Sequence, residues 1–224
     1  MLRILMRSAV RFSAAALLAF LLGSGAASAQ TPGAYVIDSA ASEIHWRIYK
    51  AGAFARFGHN HVIAIAEPTG TVNVAENLAN SRIELTFDVA ELSIDDAELR
   101  GRYGEEFESE PTEEDIAGTR TNMLTEQVLN GESFASISVA GSRLSGVGPE
   151  QTIDLTIALL GRTVMLTVPV DVSFDAAGLH ATSQFRLLHE DLGMEPFSVM
   201  MGALQVAPEI DFTVDIRANV PGGD

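Results

Sequence analysis

The stretch Gly58-His59-Asn60-His61-Val62-Ile63 carries the most specific pattern of chemically capable residues in the chain. Side chains alternate across an extended strand, so His59 and His61 share a face that continues through Ile63 and Ile65, the expected interior. Two imidazoles so spaced can both ligate one metal ion, because neutral histidine is a common ligand and a strand holds the rings side by side. His189 follows Phe185 and Leu187 at the same two-residue period and is expected on an inward face as well. Three chemistries are compatible with this set. A divalent transition metal held by His59, His61 and His189 with one open position would lower the pKa of a bound water to about 7, enough for hydrolysis or hydration. Alternatively, the histidines hydrogen-bond the polar head of a ligand. In the third case they are structural, satisfied by backbone and by Asn60, Glu190 or Asp191. His45, opposite Ile44, Trp46 and Ile48 in its strand, and His180, beside the Gly178 turn, are expected at the surface.

Other catalytic patterns are missing: the chain has no Gly-x-Ser-x-Gly elbow, no phosphate loop with lysine and no His-Glu-x-x-His helix. With no cysteine there is neither a thiolate zinc site nor a disulfide. The acidic cluster Glu105, Glu106, Glu108, Glu110, Glu113, Glu114 and Asp115 lacks the spaced oxygen ligands of a calcium loop and is expected to be a solvated charge run. The apolar, Gly- and Pro-broken segment from Leu192 to Leu204 is expected either to line a site for an apolar chain or to plug one end of a core.

Strands must position these residues. Ile83, Leu85, Phe87 and Val89 alternate with polar neighbours, as do Ile153 to Leu159, Val164 to Val172 and Ile210 to Ile216. Shorter alternations recur at Tyr35–Ile37, Glu43–Tyr49, Phe57–Ala66, Thr69–Ala75, Ser136–Leu144 and Leu179–His189. Short turns join them, so neighbours run antiparallel, and Pro169 marks an edge or a bulge. One stretch departs: from a Thr112 cap to Gly131, Ile116, Met123, Leu124 and Val128 recur at near-helical spacing, which predicts one inserted helix. The fold class is therefore all-β with one inserted helix, either a sandwich or a barrel. A barrel of about eight strands fills itself with side chains or holds one small ligand.

Residues 1–29 read as a cleavable signal peptide. Arg3, Arg7 and Arg11 precede an apolar run from Phe12 to Leu22, and Ala27-Ser28-Ala29 supplies the small-residue cleavage site. The run falls short of the roughly 18 apolar residues that span a bilayer. Removing residues 1–29 leaves 11 basic against 30 acidic residues, a formal charge of −19 for a single domain over 30–224. Such a surface argues against nucleic acid and anionic membranes as partners. An export signal without disulfides points to the bacterial periplasm.

Tyr35-Val36-Ile37-Asp38-Ser39-Ala40-Ala41-Ser42, the Gly70-Thr71-Val72 strand, the Val89–Leu92 strand end and Leu188-His189-Glu190-Asp191-Leu192-Gly193-Met194 together resemble the YceI-like family. The resemblance spans about Gly33 to Ala218. Arg56-Phe57-Gly58-His59-Asn60-His61 and Glu195-Pro196-Phe197-Ser198 look like a histidine-bearing branch of it. It implies a periplasmic, lipocalin-like antiparallel barrel that binds a polyisoprenoid or another long-chain lipid, without a cofactor and without catalysis. The residues expected to line that ligand's site are Trp46, Ile48, Ile63, Ile65, Phe87, Leu155, Ile157, Phe185, Phe212 and Val214. Phe197, Met200 and Met201 are expected near a mouth and His59, His61 and His189 at the polar end. The competing expectation remains a metal-binding protein or metalloenzyme built on those three histidines.

Overall fold

A computed structural model describes residues 31–222, so the segment read as a signal peptide lies outside the described residues. In chain order the elements are β1 (Gly33–Ile37), β2 (Glu43–Ala51), β3 (His61–Ile65), β4 (Gly70–Val74), β5 (Arg82–Asp88), β6 (Leu92–Ile94), α1 (Ala97–Arg100), α2 (Glu113–Leu124), β7 (Ser136–Ser145), β8 (Thr152–Leu159), β9 (Arg162–Pro169), β10 (Asp171–Asp175), β11 (Gly178–Leu188), β12 (Ser198–Val199) and β13 (Leu204–Asn219). All described strands belong to one 13-stranded, antiparallel sheet. Four pairs of strands act as single bent segments, β1 with β2, β3 with β4, β5 with β6 and β9 with β10. Together with β7, β8, β11 and β13 they make eight segments, each hydrogen-bonded to the next in sequence. β13 returns to pair with β1 and β2 as well as β11, which curls the sheet into a barrel.

The ladder is not sealed all the way round. Pro169 has no N–H to donate, and β9 ends there. β9 pairs with β8 while β10 takes over the pairing with β11. Between the strands the turns follow local backbone chemistry. Leu160 and Gly161 both have positive φ (52° and 68°) in the two-residue β8–β9 hairpin, a primed turn whose twist suits antiparallel strands. Another irregularity sits in β13, where the register with β2 shifts between Val206 and Ile210, around Pro208.

The inserted helix is α2. Thr112 Oγ1 accepts from the Asp115 amide at 3.2 Å and Asp115 Oδ2 accepts from the Thr112 amide at 2.8 Å, a reciprocal cap. The helix stops at Leu124, earlier than the Gly131 expected from sequence, because Thr125 is extended. Residues 125–131 instead fold back on the last turn, with the Leu129 and Gly131 amides donating to Met123 and Leu124 carbonyls. The acidic cluster is exposed throughout, as a solvated charge run should be. Thr112→Ala is expected to cost about 1 kcal/mol in denaturant unfolding, with faster amide exchange confined to the start of α2.

His45 corrects the sequence reading. It is 1% exposed, not a surface residue, because a second layer covers the outer face of β2 and β3. Val62, Ala64, Leu99 and Phe107 form that layer with Tyr49 and Tyr103 against it. His45 Nε2 pairs with the Tyr103 hydroxyl, and Glu43 lies 3.1 Å from Nδ1. Burial lowers the His45 pKa against the opposing pull of Glu43. His180 is half-buried on β11 and pairs with Asp215 at 2.8 Å.

Candidate functional site: an apolar chamber with a histidine-lined antechamber

The strand alternation places one face of every segment around a cavity of about 300 Å³. Trp46, Ile48, Ile63, Ile65, Phe87, Leu155, Ile157, Phe185, Phe212 and Val214 all line it, with His189 at one end. Register explains how residues so distant in sequence meet. Ile94, Ile63, Trp46, Phe212 and Phe185 stand directly opposite one another on successive strands, β6 through β11. Within that row Phe185 stacks on Phe212 at a centroid distance of 5.0 Å, and Trp46 lies 6.0 Å from Phe212.

A second chamber of about 180 Å³ adjoins the first and shares Ile48, Met123, Val128 and His189 with it. The helix α2 and the turn after it cap this end of the barrel. His59, His61, Lys50, Thr119, Asn122, Glu195, Phe197 and Gln205 also line the second chamber. All three histidines singled out by the sequence therefore border one space. The rings of His59 and His61 are 6.3 Å apart. Met200 and Met201 are a different matter: they line neither chamber and stand 63% and 106% exposed. Both take positive φ in the tight turn between β12 and β13, which points them away from the barrel.

His61 is held by residues that the sequence reading did not single out. Its Nδ1–H donates to Asp95 Oδ2 at 2.6 Å. Asp95 itself is sealed, and its Oδ1 accepts from the Val62 amide at 2.9 Å and from Arg100 Nη1 at 2.6 Å. Arg100, 5% exposed, also donates to the carbonyls of Asn60, Phe107 and Ser109. Asn60 completes the frame, accepting from the Lys50 amide and donating to the Glu106 carbonyl. Burial pushes the Asp95 carboxyl up, but hydrogen bonds and charge from His61, with the Val62 amide and Arg100, outweigh it and leave the pKa lowered. The one local signal was Asp95-Asp96 directly after a strand: Asp95 takes φ 56°, which aspartate tolerates better than most residues, and Asp96 caps α1.

His189 is fixed by a different partner. Its Nδ1–H donates to the Pro208 carbonyl at 2.9 Å, an acceptor at the β13 bulge. His59 contacts Ser109 Oγ at 3.2 Å through Nδ1 and lies 3.9 Å from Asp115 through Nε2. Among the described residues, no three His, Asp or Glu side chains gather closely enough to form a metal-binding group. On the outer side of the same strands, Asp211 receives a bidentate Arg186 and the Tyr49 hydroxyl. Burial and that carboxylate push the Tyr49 pKa up to about 12.

An antiparallel barrel around one largely apolar chamber, with a more polar space adjoining it, defines a lipocalin-type barrel fold. The chain belongs to the YceI-like family: the model of the YceI-like domain matches residues 35–218. Among solved structures it is similar to Burkholderia cenocepacia BcnA, with a TM-score of 0.59 and 12% identity over 82% of this chain and 99% of that one. A mutant Campylobacter jejuni YceI protein with a monobromobimane guest is similar at a TM-score of 0.50 and 6% identity, over 70% of this chain and 84% of that one. No curated protein matches the chain. At such identities the structural likeness carries the fold alone. No helix among the described residues is long and apolar enough to cross a membrane.

Proposed function

We propose that this protein is exported to the periplasm, where it sequesters one elongated apolar ligand, a polyisoprenoid or another long-chain lipid. The chain of the ligand occupies the apolar chamber and its polar head reaches the space bordered by His59, His61 and His189. The observation that carries this reading is the contrast between the two linings: the main chamber is almost wholly apolar, with Ser81, Arg82 and Ser183 its few polar residues besides His189, whereas polar side chains gather around the adjoining space beyond His189. Burial of each CH₂ contributes roughly 0.8 kcal/mol, so about eight methylenes supply roughly 6 kcal/mol before ordering costs. Binding of this kind requires no charged partner and no cofactor.

The test is mass spectrometry of an organic extract of protein purified from its native source. A stoichiometric long-chain species is the expected finding, and N-terminal sequencing of the same sample is expected to begin just after Ala29. Empty extracts, together with no uptake of any long-chain lipid by the purified protein, would overturn the proposal.

A further inference from the structure

We propose that the antechamber selects a neutral ligand head that donates a hydrogen bond, a hydroxyl group, over a carboxylate or phosphate. The inference rests on the binding function proposed above and concerns what kind of molecule the same site takes.

Two imidazoles face this chamber with their tautomers determined by what lies behind them. His61 Nδ1 sits 2.6 Å from an Asp95 carboxylate oxygen, and His189 Nδ1 sits 2.9 Å from the Pro208 carbonyl. Neither partner has a hydrogen to give, so each Nδ1 must carry the proton, and in the neutral ring each Nε2 is then a bare lone pair. Both rings are largely buried and both line the chamber, and in each the Nε2 lies across the ring from the nitrogen that is held from behind. Two acceptors at one end of an apolar cavity are complementary to a donor. A hydroxyl can donate to one of them and accept in turn from the amide of Asn122 or Gln205, both in the lining.

The charges around the chamber disfavour an anion in the same place. Asp95 stands behind His61 and faces Arg100 at 2.6 Å. Glu195 is in the lining, and Asp115 lies 3.9 Å from His59 Nε2. Lys50 is the cation of the lining, and its Nζ is engaged by the Gly58 carbonyl at 2.9 Å. An anionic head would find donors in Lys50, Asn122 and Gln205, but it would also meet the two lone pairs and the nearby carboxylates, which a hydroxyl complements and an anion does not.

The experiment measures binding of cetyl alcohol, its methyl ether and palmitic acid to the mature protein at neutral pH, by displacement of a fluorescent lipid. The alcohol is expected to bind about tenfold tighter than the ether, which keeps the chain and loses the donor, and tighter than the acid. Equal affinity for alcohol and ether, or tightest binding of the acid, would overturn the inference while leaving the lipid-binding function standing. Failure of all three to bind would remove both. Long-range ¹H–¹⁵N spectra of the imidazoles supply a readout that needs no variant. They are expected to show the Nδ1–H tautomer for His61 and His189, with the His61 Nε2 resonance shifting on addition of the alcohol and not of the ether. An Nε2–H tautomer at both rings would contradict the proposal directly. In His61→Phe combined with His189→Phe, which removes both acceptors, the alcohol is expected to fall to the affinity of the ether.

Discussion

Arg100→Ala is expected to destabilise the protein by about 3–5 kcal/mol, a large fraction of the total stability of a domain this size. The reason is what the substitution leaves behind. Asp95 is fully sealed, and Arg100 is the cation that faces it at 2.6 Å. Losing that guanidinium strands a carboxylate in the interior and also frees the Asn60, Phe107 and Ser109 carbonyls it had satisfied. Removing both charges together, in Asp95→Asn with Arg100→Met, is expected to cost less than Arg100→Ala alone, because no unpaired charge remains. Denaturant unfolding of the three proteins measures the difference. The sign of the pH dependence follows from the lowered pKa of Asp95, whose ordinary value is 3.8. Its contribution is fully present above that value and is lost as pH falls through the lower folded-state value. The gap between wild type and Arg100→Ala should therefore be widest near neutrality and narrow below about pH 4. A gap that stayed constant down to acid would place the cost in packing rather than in charge.

This same pair connects stability to the site. Asp95 holds the His61 ring, and Arg100 ties the segment carrying Phe107 and Ser109 back onto β3. A variant that survives without Arg100 is expected to lose the fixed tautomer at His61 before it loses the barrel.

The barrel wall was legible in the sequence because its cause is local. Period-two alternation assigns Trp46, Phe185 and Phe212 to inner faces without any knowledge of pairing, and the register then brings them opposite one another. The same logic carried from Ile63 and Ile65 back to His61, which lies at the start of that strand. Asp95 and Arg100 were not legible. Their importance comes from a left-handed residue after β6 meeting the start of β3, a contact that no spacing in the chain announces. His45 was misread for a related reason. Alternation correctly put it on the outer face of β2, but it cannot reveal that Leu99, Tyr103 and Phe107 fold over that face and make it interior. Met200 and Met201 show the converse, since an apolar composition suggested a lining and a tight turn with positive φ carries them into solvent.

Ile157→Trp is expected to abolish most ligand binding while leaving the fold intact. Ile157 projects from β8 into the cavity, opposite Val139 on β7 and Val164 on β9, and is far in sequence from every residue of the polar end. An indole there would occupy space that the ligand's chain requires. Displacing about three methylenes removes roughly 2.4 kcal/mol of burial, or roughly fiftyfold in affinity. Because the added ring fills a void instead of pressing on packed neighbours, the melting temperature of the ligand-free protein is expected to hold or rise. Met201→Ala is the matched control, an apolar truncation outside both chambers that should leave affinity unchanged. Calorimetric unfolding and ligand titration of both variants read the two effects separately. Had the barrel been filled by its own side chains, the same tryptophan would overpack the core and cost about 1–3 kcal/mol, with no ligand affinity to lose. Stability and binding thus move in opposite directions under the two architectures, and a destabilised Ile157→Trp with unaltered lipid uptake would show that the chain of the ligand does not lie between β7, β8 and β9.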